Sequence, residues 1–129
     1  SALLAGVEAR GGKVISIDID PRCEAVAKDN PLWAFWPGSS TDANMAQDIA
    51  TYARPFDLLL IDTEHNVSQV TAELALWSPY MRPGARILLH DPETFPGVRR
   101  AITEFCARTG WAVTYVLPCN GMAVIEVPG

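Results

Sequence analysis

The feature that most constrains the fold is an apolar run ending abruptly in acidic residues and a histidine, Phe56-Asp57-Leu58-Leu59-Leu60-Ile61-Asp62-Thr63-Glu64-His65. Residues 58–61 show no alternation of polar and apolar side chains, so both faces of this segment need apolar partners. Such a run is typical of a central strand in a parallel sheet. The polar cluster would then follow the carboxyl end of the strand, where open α/β sheets bind their ligands.

A second apolar run has the same form, Arg86-Ile87-Leu88-Leu89-His90-Asp91. Neighbouring parallel strands lie about 4.8 Å apart, and their carboxyl ends share one edge of the sheet. If the two runs are neighbouring strands, we expect Asp62, His90 and Asp91 to converge. Two carboxylates that close repel each other, so the site favours a metal ion, a proton or a basic partner.

The rest of the chain alternates between helical and strand patterns. Predicted helices cover residues 1–9, 21–29, 42–53, 67–77 and 98–108, and predicted strands cover residues 13–18, 32–36, 57–62, 86–90, 112–117 and 122–127. Asn120-Gly121, between the last two strands, is a strong signal for a hairpin turn. This order predicts an α/β fold with a doubly wound, mostly parallel sheet and a C-terminal antiparallel hairpin.

Two of the predicted helices begin after residues that favour capping. Thr41 is predicted to cap the helix over 42–53, and Asn66 the helix that follows. The buried face of the first of these helices is predicted from three residues at helical spacing, Met45, Ile49 and Tyr52.

Length and composition narrow the class of protein. The 129 residues are enough for one hydrophobic core, so we expect a single domain over residues 1–129. No apolar run could span a bilayer, which argues against a membrane partner. The formal charge of −5, without a basic run, argues against nucleic acid. The three cysteines are odd in number and lack metal-like spacing, which favours reduced thiols in a cytoplasmic protein. The sequence leaves a homo-oligomer open.

Four segments of the chain together carry a resemblance to a known family: residues 13–21, 38–40, 56–65 and 76–91. The last is the most specific, because Trp77-Ser78-Pro79 and Arg82-Pro83-Gly84 precede a strand that ends in His90-Asp91. With these segments the chain resembles class I S-adenosylmethionine (SAM)-dependent methyltransferases, above all the catechol-type and sugar O-methyltransferases. The resemblance implies a Rossmann-like sheet in the strand order 3-2-1-4-5-7-6, with strand 7 antiparallel.

The resemblance implies that Asp18, after the family's second strand, accepts hydrogen bonds from the ribose of SAM. The alternative is an acid that interacts with the dipole of the helix after it. Ser39 and Ser40 would contact the adenine, although both types are equally suited to a turn. Asp62 is also expected to contact the cofactor.

The resemblance further implies a divalent cation, Mg²⁺ or Mn²⁺, held by Asp62, His90 and Asp91. Carboxylates suit Mg²⁺, whereas the imidazole of His90 suits Mn²⁺ better. In the alternative, Asp62 and Asp91 cap helix starts or position an acceptor hydroxyl without a metal. The sequence leaves both alternatives open, a metal site and a site without a metal.

Methylation of an oxygen needs a base, and His65 has the right side chain for one, with Asp62 as the second catalytic residue. A solvent-facing histidine at a helix start is the alternative. The predicted function is methyl transfer from SAM to an oxygen of a small molecule. The second hypothesis is a non-catalytic methyltransferase-like scaffold that binds a partner or a ligand.

One departure from the family concerns the N-terminus. The family's first strand and glycine-rich loop would precede Ser1, so we expect a truncated domain whose sheet lacks that central strand. We also expect this chain alone to bind SAM poorly or not at all, since no later segment replaces the glycine-rich loop and Asp18 by itself supplies about 1.5–3 kcal/mol.

Overall fold

The computed structural model describes residues 12–20, 31–61, 66–90, 92, 96–116 and 121–129. The helices predicted for residues 1–9 and 21–29 lie outside these ranges. The chain forms two compact units, residues 1–45 and 46–129, and the single domain over residues 1–129 stays a prediction. Among the described residues, no helix is both long and apolar enough to cross a bilayer.

The first unit contains two parallel strands, β1 (Val14–Asp18) and β2 (Trp33–Pro37), which pair along their whole length. The β-branched residues of β1 favour the extended backbone of a strand. The indole N–H of Trp33 donates to Ser16 Oγ at 2.6 Å, which links the two strands through their side chains. Because the strands are parallel and in register, their carboxyl ends share an edge.

The helix α1 (Ala43–Ala53) begins in the first unit and continues into the second. Asp42 caps it, since Asp42 Oδ1 accepts two backbone N–H groups of the first turn, at 2.9 and 3.2 Å. The prediction of Thr41 as the cap is therefore wrong by one residue. The hydroxyl of Thr41 lies 2.8 Å from Ser39 Oγ instead.

The buried face of α1 differs from the predicted one at its last member. Met45 and Ile49 are buried, as predicted, but Tyr52 is 60% exposed. The buried face includes the alanines at positions 46 and 50, so it is centred away from Tyr52. Small residues can line a helix interface as well as large ones, and the spacing of large residues alone does not reveal this.

Four strands form the sheet of the second unit in the order β3-β4-β6-β5. They are β3 (Phe56–Ile61), β4 (Met81–His90), β5 (Ala112–Val116) and β6 (Met122–Glu126). β3 and β4 are parallel neighbours, as predicted, and β6 is antiparallel to both β4 and β5. The strand order and directions confirm the predicted fold class, an α/β fold with parallel strands and a C-terminal antiparallel pair.

The predicted hairpin is confirmed, because β5 and β6 pair in antiparallel fashion from Val116 and Met122 outward. Gly121 directly precedes β6 and has a φ of +81°, a backbone region that glycine enters without steric cost. Residues 117–120 lie outside the described residues, so the position of Asn120 at the tip stays a prediction.

β4 is longer than predicted, beginning at Met81 rather than at Arg86. Phe56 of β3 pairs with Met81 and Leu58 pairs with Arg86, so the intervening residues of β4 form an irregular bulge. Gly84 lies in this bulge with a φ of +81°. Pro83-Gly84 therefore lies in a bulge within β4, whereas the sequence pattern places this pair in a loop before the strand.

Two helices pack against one face of this sheet, α2 (Val67–Trp77) and α3 (Pro96–Thr109). Asn66 caps α2 as predicted, since its Oδ1 accepts the third N–H of the helix at 2.8 Å. A short 3₁₀ turn, Ser78–Tyr80, follows α2. The core between helices and sheet includes Val70, Leu74, Ile87, Leu89, Val98, Ile102, Phe105, Ala123 and Ile125.

The prediction that both faces of β3 are covered is wrong for the described part of the chain. Ile61 is buried, but Leu58 is 39% and Leu60 is 49% exposed. β3 is the edge strand of the described sheet, and its alternate side chains point to opposite faces. Of these three side chains, Ile61 belongs to the core that the described helices share with the sheet.

Candidate active site

The carboxyl edge of β1 and β2 brings Asp18 next to the turn that contains Ser39 and Ser40. Asp18 is the exposed last residue of β1, and its backbone carbonyl accepts the N–H of Gly38 at 2.9 Å. Asp18 Oδ1 accepts the N–H of Asp20 at 2.9 Å, which holds the carboxylate in an Asx turn. The structure thus joins two of the segments that the family resemblance assigns to the cofactor.

Ser39 is half-buried and its side chain makes hydrogen bonds within the turn. Its Oγ lies 2.8 Å from Thr41 Oγ1 and accepts the N–H of Thr41 at 3.2 Å. The backbone carbonyl of Ser39 accepts the N–H of Asp42 at 3.0 Å. These three contacts support the turn-forming role for Ser39. Ser40, also half-buried, lies in the same turn.

Gly38 is required where β2 leads into this turn. Its φ is +147°, and an ideal Cβ at this position would lie 2.9 Å from Sδ of the buried Met45. Any side chain here would strain the backbone, whereas the flexible side chain of Met45 could move aside. The backbone conformation is therefore what favours glycine at the start of the turn with Ser39 and Ser40.

A second carboxyl edge, that of β3 and β4, precedes the residues predicted for the acceptor. Ile61, which comes before Asp62, pairs with Leu89, which comes before His90. His90 is the half-buried last residue of β4. The other predicted residues of this site lie outside the described ranges, so their convergence stays a prediction: Asp62, His65 and Asp91.

The predicted metal site depends on the same segments. The described residues contain no group of three His, Cys, Asp or Glu side chains placed to hold a metal ion. Of the predicted ligands, only His90 belongs to the described part of the chain. A set of two carboxylates and one imidazole fits Mn²⁺ better than Mg²⁺, because Mg²⁺ prefers oxygen ligands throughout. The metal stays a prediction.

Sequence reasoning missed a buried carboxylate on α2. Glu73 is only 2% exposed and shares the buried face of the helix with Val70, Leu74 and Trp77. The signal was available, because Glu73 lies three residues after Val70 and one before Leu74, on the apolar stripe. A buried carboxylate is costly unless it has polar partners, so Glu73 constrains how α2 packs.

The helix α3 begins two residues earlier than the sequence pattern predicts. The sequence pattern puts it at Val98, whereas the helix begins at Pro96. Proline is favoured at the first position of a helix, so Pro96 indicates the observed start of α3. The helix ends at Thr109, and Gly110 follows it with a φ of +77° and an N–H that donates to the carbonyl of Cys106 at 2.8 Å.

Cys106 is the cysteine that lies within the described residues. It is a free, half-buried thiol on α3, and burial raises its pKa above the ordinary value. Less of the thiolate, the reactive form, is therefore present near neutral pH. The redox state of the cysteines stays a prediction.

Comparison with known families identifies the class. Residues 1–92, more than half of the chain, match the model of a family described as a methyltransferase domain. The chain therefore belongs to this methyltransferase family, and the resemblance to SAM-dependent methyltransferases is confirmed. No curated protein is significantly similar to the chain in sequence.

Several solved structures that are similar to the chain are described as methyltransferases. An O-methyltransferase from Bacillus cereus in complex with SAH is 18% identical over 91% of this chain and 63% of its own, with a TM-score of 0.73. The MycE methyltransferase of the mycinamycin pathway, in complex with Mg, SAH and mycinamycin VI, is 19% identical over 91% of this chain and 37% of its own, with a TM-score of 0.67. A methyltransferase from Geobacter sulfurreducens is 17% identical over 91% of this chain and 59% of its own, with a TM-score of 0.63. At these identities the likeness shows the fold, and the chain spans 37% to 63% of the length of these proteins.

Proposed function

We propose that the protein transfers the methyl group of SAM to an oxygen atom of a small-molecule acceptor. The observation that carries the proposal is the exposed Asp18 carboxylate beside the Gly38 turn, in a chain that belongs to a methyltransferase family. A carboxylate at the carboxyl end of a parallel strand suits the two hydroxyls of a ribose. SAM contains such a ribose next to its adenine.

The cofactor would lie on the residues that follow β1 and β2. Asp18 would accept hydrogen bonds from the ribose, and the turn with Ser39 and Ser40 would border the adenine. Asp62 is proposed as a further contact with the cofactor. The B. cereus and MycE structures contain SAH, which is what SAM becomes when it gives up its methyl group. SAM supplies a methyl group on a positively charged sulfur, which is already activated for displacement.

The acceptor oxygen would attack the methyl carbon in line with the bond to sulfur. The new C–O bond forms as the C–S bond breaks, and the electron pair of that bond returns to sulfur, leaving SAH. The proton of the acceptor hydroxyl goes to His65, the proposed base, with Asp62 as the second catalytic residue. The protein therefore has two tasks, to align the oxygen with the methyl group and to remove its proton.

The acceptor oxygen would be held by Asp62, His90 and Asp91, either directly or through a divalent cation. The pairing of Ile61 with Leu89 supports this, because Asp62 and His90 are the next residues along two neighbouring parallel strands. A bound cation would supply positive charge that favours the deprotonated acceptor. The MycE structure contains Mg, whereas the imidazole of His90 makes Mn²⁺ the better match here.

A small molecule is the acceptor class that the charge of the chain favours. With a formal charge of −5, the chain would repel the phosphates of a nucleic acid. The MycE complex contains mycinamycin VI, a small-molecule ligand. We propose a cytoplasmic enzyme without a nucleic acid or membrane partner, on the strength of its charge and its reduced cysteines.

The direct test is to incubate the protein with methyl-labelled SAM and a panel of hydroxylated small molecules. The expected result is SAH production that depends on the acceptor, with one SAH formed for each methylated oxygen. Binding of SAH without turnover on any acceptor would favour the non-catalytic scaffold instead.

A further inference from the structure

A cavity of about 450 Å³ opens at one end of the four-stranded sheet, and Arg86 and Glu126 are among the residues that line it. The pairing of β4 with β6 locates this end. His90 pairs with Met122, the first residue of β6, whereas Arg86 pairs with Glu126, the last residue. The strand from Arg86 to His90 spans about 13 Å. The cavity therefore lies away from the carboxyl edge of β4 that ends in His90.

Two opposite charges lie side by side in this cavity. Arg86 and Glu126 are both exposed, and they are direct partners across the antiparallel strands β4 and β6. Such partners carry their side chains on the same face of the sheet, with Cβ atoms about 4.5–5.5 Å apart. Within the part of the chain that the structure describes, neither side chain forms an ion pair or a hydrogen bond. Both charges are therefore available to a ligand.

Apolar residues make up much of the remaining lining of the cavity. They include Trp111, Ala112, Val127 and Pro128. The half-buried ring of Trp111 packs edge-to-face on Phe105, with the ring centroids 5.4 Å apart. Sites for small molecules combine apolar walls with a few polar groups in a volume of about 300–1,000 Å³. The cavity has this composition and this size.

Backbone hydrogen bonds hold two sides of the cavity in place. The N–H of Gly84 donates to the carbonyls of Val127 and Pro128, at 3.1 and 3.2 Å. On another side, the N–H of Trp111 donates to Thr109 Oγ1 at 3.2 Å. These residues belong to β4 or directly flank a strand, so the shape of the cavity is set by the fold.

Two glycines keep the cavity open. A Cβ added to Gly84 or to Gly110 would have no atom within 4 Å. Both residues line the cavity and have a positive φ, +81° and +77°, which favours glycine at these positions. Because neither position carries a side chain, the space beside the two charged groups stays accessible.

We propose that this cavity binds an α-amino acid with an apolar side chain. The guanidinium of Arg86 donates paired hydrogen bonds to the α-carboxylate, and the carboxylate of Glu126 accepts from the α-ammonium group. An α-amino acid carries these two charges on one carbon, which matches two opposite protein charges on neighbouring strands. Its side chain packs on the apolar part of the lining.

A ligand with a single charge fits this cavity less well. An anion bound at Arg86 lies close to the negative charge of Glu126, and a cation bound at Glu126 lies close to the positive charge of Arg86. The repulsion between like charges lowers the affinity in either case. A zwitterion pairs both protein charges and avoids this cost.

The test is an NMR titration of the unaltered protein with L-leucine, followed through the backbone amide signals of Gly110, Ala112 and Glu126. It needs neither SAM nor an acceptor. We expect these signals to shift until the cavity is saturated. N-acetyl-L-leucine lacks the ammonium group and L-leucinamide lacks the carboxylate. Each should bind with a Kd about tenfold higher or more, because each loses a charge-assisted contact.

Substitutions of the two charged residues test the same contacts from the side of the protein. Arg86→Gln and Glu126→Gln should each raise the Kd for L-leucine about tenfold or more. Both positions are exposed, so the fold should persist. Arg100→Gln and Glu104→Gln are the matched controls, since they remove the same charges from an exposed pair on α3 that does not line the cavity. The controls should leave the Kd unchanged.

Unshifted amide signals of the three cavity residues at the highest soluble concentration of L-leucine would overturn the inference. Equal Kd values for L-leucine and N-acetyl-L-leucine would also overturn it, because the ammonium group would then not be recognised. An equal rise of Kd in the control variants would contradict the role of Arg86 and Glu126. The titration contains no cofactor, so its result is independent of whether the protein transfers methyl groups.

Discussion

Asp18 illustrates how one carboxylate can serve both a turn and a ligand. Its Oδ1 accepts the N–H of Asp20 at 2.9 Å, and the side chain is exposed at the end of β1. A carboxylate has two oxygens with about four acceptor sites, so one turn bond leaves capacity for ribose hydroxyls. The two interpretations of Asp18, as a structural acid and as a cofactor ligand, are therefore compatible.

Asp18→Asn separates the two roles, because asparagine keeps an acceptor for the turn but loses the charge. Loss of charge-assisted hydrogen bonds costs about 1.5–3 kcal/mol, which corresponds to about a tenfold to hundredfold rise in Kd for SAH. Calorimetric titration measures it. Asp57→Asn is the control, since Asp57 is an exposed carboxylate of β3 whose partner is Arg82. Equal Kd values for both variants would remove Asp18 from the cofactor site.

Ser39→Ala tests the role of the turn hydroxyl. The variant loses the contacts of Ser39 Oγ with Thr41, at 2.8 and 3.2 Å. A net loss of about 0.5–1.5 kcal/mol in the free energy of unfolding is expected, measured by denaturant titration. The effect on SAH binding should be smaller than that of Asp18→Asn. A larger effect on binding than on stability would instead support a direct hydrogen bond to the adenine.

At the scale of helices and strands, the sequence could predict what depends on local pattern. The apolar run at β3 and the β-branched residues of β1 specify strands, and Asn66 specifies a helix start. The start of β4 at Met81 could not be predicted, because it depends on pairing with Phe56, far away in the chain. Of the candidate site, the position of His90 at the end of β4 could be predicted, because it follows directly from the apolar run before it.

Thr41 and Asp42 are adjacent and both favour the capping position of a helix, so the sequence alone does not decide which of them caps α1. Asp42→Ala should lower the free energy of unfolding by about 1 kcal/mol, because it removes the acceptor for two N–H groups of the first turn. Thr41→Ala should cost less, since Thr41 does not accept from these groups. Urea titrations of the two variants measure the difference. A greater loss for Thr41→Ala would show that Thr41 is the cap after all.

At the scale of the whole molecule, the chain has two carboxyl edges of parallel strands, each followed by candidate ligand residues. The edge of β1 and β2 carries the cofactor candidates, and that of β3 and β4 the acceptor candidates. The fold class was predictable from strand–helix alternation, and membership of a methyltransferase family confirms the resemblance. We propose that the residues after the second edge hold and deprotonate the acceptor.

The turnover of Asp91→Asn, measured with SAM and an acceptor that the unaltered protein methylates, tests this proposal. The change is nearly isosteric, so the fold should persist, while the loss of a charge-assisted contact worth about 1.5–3 kcal/mol should lower kcat by about tenfold to a hundredfold. Asp57→Asn, a charge loss at the start of β3, should leave kcat unchanged. Turnover of Asp91→Asn equal to that of the unaltered protein, with circular dichroism confirming the same fold, would contradict the account.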